Sequence, residues 1–258
     1  MEKEVAQIVT NSTTLQFDEE GDGPLVVLLH GFPESRATWK HQMRALAEAG
    51  FRAVAPDLRG YGDSPKPRGI DAYGLPLIID DVAELIESLG DAPCIVVGHD
   101  WGAAVAWYLT MSRPDLARKL AVLNVPHPAA ILREMRRSFR QKLRLSYQLF
   151  FQLPLLPEMF LRLFGVRVSL TPMLHWYRAL RRTRGQLRKL FRRIDVPVLI
   201  LWGEREPIFL PSTVEDLDVW VANVRVERIA GAGHFLQRDA PDRVSELLID
   251  FVRNPAQS

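Results

Sequence analysis

The sequence predicts an α/β protein, a doubly wound and mostly parallel sheet interrupted once by a helical insertion. Three observations carry this. Apolar, β-branched runs recur along the chain with helix-period segments between them. Strand character then vanishes between residues 129 and 193, where the chain turns basic and rich in Leu and Phe, and returns afterwards. Finally, the run Ile95-Val96-Val97 ends at Gly98-His99-Asp100-Trp101-Gly102, after which Ala103-Ala104-Val105-Ala106-Trp107-Tyr108-Leu109 reads as a helix. At 258 residues, with 47% hydrophobic and 25% charged content, the chain fits one globular domain with an insertion.

In order, residues 5–10 and 13–19 read as two strands joined by a turn at Asn11-Ser12. Residues 25–29 form a continuous apolar run, as a strand covered on both faces requires. It ends at His30-Gly31-Phe32-Pro33-Glu34. Trp39, Met43 and Leu46 follow at helical spacing, and Gly50 stops that helix. Residues 53–57 are the next strand, and the loop Leu58-Arg59-Gly60-Tyr61-Gly62-Asp63-Ser64 is rich in turn formers. Ile78, Val82, Leu85, Ile86 and Leu89 mark an amphipathic helix closed by Gly90. After the central helix, residues 120–125 make a strand leading to Pro126-His127-Pro128. Strands return at 196–202 and 224–229, and Val244, Leu247, Leu248 and Phe251 close the chain as a helix. The division is therefore a core of 1–128 and 194–258 with a short basic helical segment, 129–193, inserted.

Charge is segregated between the two parts. The formal net charge is +2, yet residues 129–193 hold sixteen Lys/Arg against only Glu134 and Glu158, a local +14 that leaves −12 elsewhere. The plain reading is a solvated Arg-rich helical face, with membrane-surface contact through this basic segment the lesser alternative. No nucleic-acid motif accompanies the charge. The single Cys94 excludes a disulfide framework, Met1-Glu2-Lys3-Glu4 opens no apolar signal region, and no run reaches the ~18 apolar residues of a membrane span. A cytoplasmic protein is expected. No Cys/His ligand cluster or phosphate-binding glycine loop is present, so neither metal nor organic cofactor is expected.

The candidate chemistry centres on Asp100. A strand turning sharply into a helix lifts the residue at the turn above the sheet. Gly98 and Gly102 leave room for strand and helix to approach. The helix N-terminus beneath favours a negative charge there. An aspartate so placed needs an acid and then a histidine downstream. His234, in Gly231-Ala232-Gly233-His234-Phe235, follows the last strand. Gly203-Glu204-Arg205-Glu206-Pro207 offers two acids after the preceding strand, of which Glu206, the residue before the proline, is the choice and Glu204 the alternative.

Together these segments resemble the α/β-hydrolase-fold epoxide hydrolases. The resemblance rests on His30-Gly31-Phe32-Pro33-Glu34, the loop from Asp57 to Ser64, Gly98-His99-Asp100-Trp101-Gly102, Asn124-Val125-Pro126-His127-Pro128 and Gly231-Ala232-Gly233-His234, in that order. It implies the α/β-hydrolase fold, with residues 129–193 as a helical cap. The family usually has Asp where this chain has Glu206, and its cap is longer, the missing material lying around Gly165 to Thr171. The resemblance also places two cap tyrosines, Tyr147 in Ser146-Tyr147-Gln148-Leu149-Phe150 and Tyr177 in His175-Trp176-Tyr177-Arg178.

The implied reaction takes a small hydrophobic epoxide and water. Asp100 attacks carbon to give an alkyl ester, Tyr147 and Tyr177 protonate the leaving oxygen, and His234, oriented by Glu206, activates the hydrolytic water. Backbone N–H groups of Phe32 and Trp101 would form the oxyanion hole. A short cap would leave the site open, tolerant of bulky epoxides and weakly enantioselective. Two alternatives stand beside this reading. A dehalogenase on the same fold would carry Asn at Phe32 or Arg at Trp101, and this chain has neither. A non-catalytic binding protein on the hydrolase fold is the other. The sequence leaves the oligomeric state open.

Overall fold

The computed structural model describes residues 6–254. The expected start of the first strand at Val5, and the four residues before it, fall outside the described residues. Eight strands form one sheet: β1 (Ala6–Val9), β2 (Thr14–Glu20), β3 (Leu25–Leu29), β4 (Arg52–Pro56), β5 (Cys94–His99), β6 (Ala117–Leu123), β7 (Val198–Gly203) and β8 (Val224–Ile229). Their spatial order is β1-β2-β4-β3-β5-β6-β7-β8. The β1–β2 and β2–β4 pairings are antiparallel, and every pairing from β4 to β8 is parallel. The sheet is thus mostly parallel, as the alternation of strands and helices requires.

Strand side chains alternate between two cores, one on each face. Val26, Leu28, Ile95, Val97, Leu199 and Leu201 point to the face covered by α1 (Lys40–Glu48) and α10 (Pro241–Arg253). Leu25, Val27, Leu29, Val96, Val122 and Ile200 point to the other. That second face lies under α2 (Leu75–Leu89), α3 (Trp101–Ser112) and α8 (Leu170–Lys189). Period 2 along a strand covered on both sides makes both faces apolar, hence the unbroken hydrophobic runs.

Several strand boundaries differ from expectation by one to three residues, and those of β6 differ for local reasons. β6 begins at Ala117 rather than 120, because Lys119 is buried in the strand, its ammonium donating to the Phe251 and Val252 carbonyls at the end of α10. A cation there is favoured by the helix dipole. β6 also stops at Leu123 instead of 125, because Asn124 turns the chain with φ of 60°.

Between β6 and β7 the chain is helical. It forms α4 (Pro128–Arg137), α5 (Phe139–Arg144), α6 (Tyr147–Phe150), α7 (Leu156–Leu163) and then α8. Ser138 caps α5 by accepting from the Gln141 N–H, so the chain changes direction between α4 and α5 without leaving that donor unpaired. The short helix α9 (Leu236–Asp239) follows β8 and leads into α10. Among the described residues no helix is long and apolar enough to cross a membrane, and no group of three His, Cys, Asp or Glu could hold a metal ion.

Candidate active site

The turn between β5 and α3 has the strained geometry that its glycines require. Asp100 sits at φ 49° and ψ −117°, a conformation worth roughly 1–3 kcal/mol of strain for a non-glycine residue. A Cβ on Gly98 would lie 2.6 Å from the Ala103 backbone, and one on Gly102 would lie 2.1 Å from the Leu29 carbonyl oxygen. Gly31 faces the turn from β3, where a Cβ would come 2.3 Å from that of Asp100. Three glycines therefore let three backbone segments converge around one carboxylate.

That carboxylate is nearly buried, and its oxygens have different neighbours. Oδ1 accepts a 2.8 Å hydrogen bond from the Phe32 N–H. Oδ2 lies 3.5 Å from His234 Nε2. On the far side of the imidazole, Nδ1 is 2.7 Å from Glu206 Oε2. Glu206 is itself held, Oε1 accepting from the Ile208 and Phe209 N–H groups at 2.5 and 3.3 Å. The extra methylene of glutamate is accommodated here, with one oxygen anchored on the following turn and the other on His234. Glu204, the alternative acid, is exposed.

Charge in this cluster is set by mutual contact. Burial disfavours the His234 imidazolium, but hydrogen bonds and charges from Asp100 and Glu206 outweigh it and raise the histidine to about 10. Burial would likewise raise Asp100, yet His234, His99 and the Phe32 N–H hold it below the usual carboxylate range. The resting centre is an ion pair. Stability carries the signature of this pair. A histidine raised from 6.5 to about 10 contributes fully below 6.5 and loses that contribution as pH rises to about 10. The wild-type Tm should therefore fall relative to that of Asp100→Asn across this window, and a constant difference from pH 6.5 to 10 would contradict the pairing.

Tyr177 on α8 is buried and Tyr147 on α6 half-buried, their ring centres 6.2 Å apart. The Tyr177 ring stands edge-on to Trp101 at 4.9 Å and to Phe32 at 5.6 Å. Burial, then the charge of Asp100, push both phenols above their ordinary value, so both are neutral donors at neutral pH. With Asp100 and Trp101 they line a cavity of about 650 Å3, walled by apolar side chains such as Leu75, Val125, Ile131 and Phe209 and also by Lys142, Arg181, Arg184 and Arg188. Trp101 heads α3, so its N–H belongs to the unpaired donors of a helix start.

Two polar residues that sequence reasoning gave no role support His234 from below. The Asn124 amide donates to the carbonyls of Gly233 and His234 at 2.7 and 2.8 Å, while its oxygen accepts from the Gly203 N–H. It ties the end of β7, where Glu206 follows, to the histidine loop. His99 Nε2 lies 2.8 Å from the His234 carbonyl oxygen, and its ring packs 4.9 Å from that of His234. The signal for Asn124 was its type, since asparagine tolerates positive φ at a strand end.

Comparison with known proteins agrees with this fold. The family model described as alpha/beta hydrolase fold matches residues 24–175 and 135–241. The AB hydrolase superfamily protein YfhM of Bacillus subtilis is 36% identical over 277 aligned residues, spanning 95% of this chain and 96% of that protein. Epoxide hydrolase 3 of Xenopus tropicalis is 33% identical, over 89% of this chain and 71% of that protein. Among solved structures, the Bacillus megaterium epoxide hydrolase in complex with an inhibitor superposes with a TM-score of 0.88 and 30% identity, covering 96% of this chain and all of that one. The chain belongs to the α/β-hydrolase fold family, among its epoxide hydrolases.

Proposed function

We propose that this protein is an epoxide hydrolase, converting a small hydrophobic epoxide and water to a vicinal diol through an ester on Asp100. One observation carries the reading. An ionised aspartate at the strained turn meets His234 on one oxygen and the Phe32 N–H on the other, with two neutral tyrosines lining the same cavity. Oδ2, free of the backbone donor, attacks an epoxide carbon, and the carbon–oxygen bond breaks as Tyr147 or Tyr177 gives its proton to the departing oxygen. General acid help of this kind is typically worth 10²–10⁴-fold.

Esterification removes the charge on Asp100, one of the two partners that hold His234 near 10. The imidazolium then returns its proton to the tyrosinate and becomes a base. It takes a proton from water, which attacks the ester carbonyl. Oxyanion charge develops on Oδ1, beside the Phe32 N–H and the start of α3. A donor so placed is worth about 3–4 kcal/mol. Collapse expels the second alkoxide, protonated by His234, and the new carboxyl proton restores the ion pair. Residues 129–193 act as the cap that carries both tyrosines. Glu206 keeps the imidazole oriented, and Asn124 and His99 position its loop.

Diol detection after incubation with a panel of aryl and alkyl epoxides tests the reading, run beside haloalkanes with halide detection. Diol without halide release is the expected result. Halide release without diol would make the protein a dehalogenase, a reaction in which halide leaves unprotonated and two phenols have no use.

A further inference from the structure

The surface of the inserted segment is unlike the rest of the molecule. Of the fourteen exposed large hydrophobic residues among those described, eleven lie between Phe139 and Val168. α7 shows why this is no chance scatter. Leu156, Met159, Phe160 and Leu163 follow helical spacing and form one apolar stripe, which should face a core. Here the stripe faces solvent, Leu163 being 84% exposed, while Glu158 on the same helix is buried and paired with Arg178 at 3.0 Å. The helix is inverted relative to a solvated one. Contiguous exposed apolar patches mark docking surfaces.

Charge says what the surface docks to. Arg140, Lys142, Arg162 and Arg167 are exposed among these apolar side chains. Glu134 and Glu158, the two acids of 129–193, are both buried. An apolar stripe with exposed cations beside it matches an anionic bilayer, where side chains enter the headgroup boundary and Lys/Arg meet lipid phosphates. A second copy of the chain is disfavoured, because two like patches would press one +14 segment against another.

The patch is also continuous with the cavity. Leu149 lines the cavity while 68% exposed. Aromatic rings run inward from the stripe, Phe164 to Phe160 at 4.6 Å and Phe160 to Phe150 at 5.6 Å. Phe150 touches Phe151 at 6.2 Å, and Phe151 meets Tyr177 at 4.9 Å. We infer that the face formed by α5 to α7 seats the protein on an anionic lipid surface, with the mouth of the cavity at the lipid boundary. The basic segment is therefore more than a solvated face.

Flotation with vesicles of phosphatidylcholine alone, and of phosphatidylcholine with phosphatidylglycerol in equal parts, tests this at physiological ionic strength. Each basic residue that reaches the surface strengthens binding about fivefold, so the protein should float with the anionic vesicles at least about tenfold better than with the neutral ones. Met159→Glu with Leu163→Glu should abolish flotation and leave turnover of a water-soluble epoxide unchanged, since both side chains face solvent. Absence of flotation, equal flotation with neutral vesicles, or flotation that survives the double variant would each overturn the inference. A stable dimer in light scattering that Leu163→Glu dissociates would make the patch a self-interface instead. Flotation is read without turnover, so its failure is distinct from failure of the epoxide reading.

Discussion

His234→Gln is expected to hold the protein as its alkyl ester. Without the histidine, burial raises Asp100, and the Phe32 N–H and His99 remain to hold it ionised. Alkylation therefore proceeds. Ester hydrolysis does not, because the imidazole beside Oδ2 is gone and Glu206 is anchored by two backbone N–H groups. Steady-state turnover should fall by about 10²–10⁴-fold, the range for a lost general base. Intact-mass spectrometry should find protein plus the mass of one epoxide within a single turnover. Full turnover in this variant would remove His234 from the mechanism.

The second large effect belongs to the tyrosines. An opening epoxide releases a strongly basic oxygen, so alkylation needs a proton donor, and neutral Tyr147 and Tyr177 both line the cavity that holds Asp100. Either phenol alone can still donate. Tyr147→Phe and Tyr177→Phe should each slow alkylation by about tenfold, and the double variant should slow it by about 10²–10⁴-fold. Packing should survive, because phenylalanine keeps the ring contacts that Tyr177 makes with Phe32, Trp101 and Phe151. Pre-steady-state mixing reads the alkylation step directly. Unchanged alkylation in the double variant would mean that another acid opens the ring.

The parts of this site that the sequence discloses are those governed by local sterics or by chain order. Gly98 and Gly102 had to be small because the backbone approaches within 2.6 and 2.1 Å of where their Cβ atoms would stand, and that requirement is visible as spacing. His234 and Glu206 follow successive strands, and His234 meets Asp100 with Glu206 behind it because a parallel sheet delivers its strand ends to one edge. Choosing Glu206 over Glu204 agrees with burial, the first being 6% exposed and the second open to solvent.

What stayed hidden depends on distance along the chain. Asn124 and His99 act through bonds to backbone carbonyls 109 to 135 positions away, and no spacing announces such contacts. The α7 stripe fails for another reason. Periodicity shows that Leu156, Met159, Phe160 and Leu163 share a face, but only the buried Glu158 shows that the face points outward.

The central claim is that the oxygen of water enters Asp100 before it enters product. Oδ2 forms the bond to carbon and leaves with the diol, while the attacking water replaces it in the carboxylate. A single turnover in heavy-oxygen water, followed by digestion and mass measurement of the peptide holding Asp100, reads this directly. The account predicts one heavy oxygen in Asp100 and an unlabelled first diol. Label in the first diol, with Asp100 unlabelled, would mean direct attack of water on the epoxide and would contradict it.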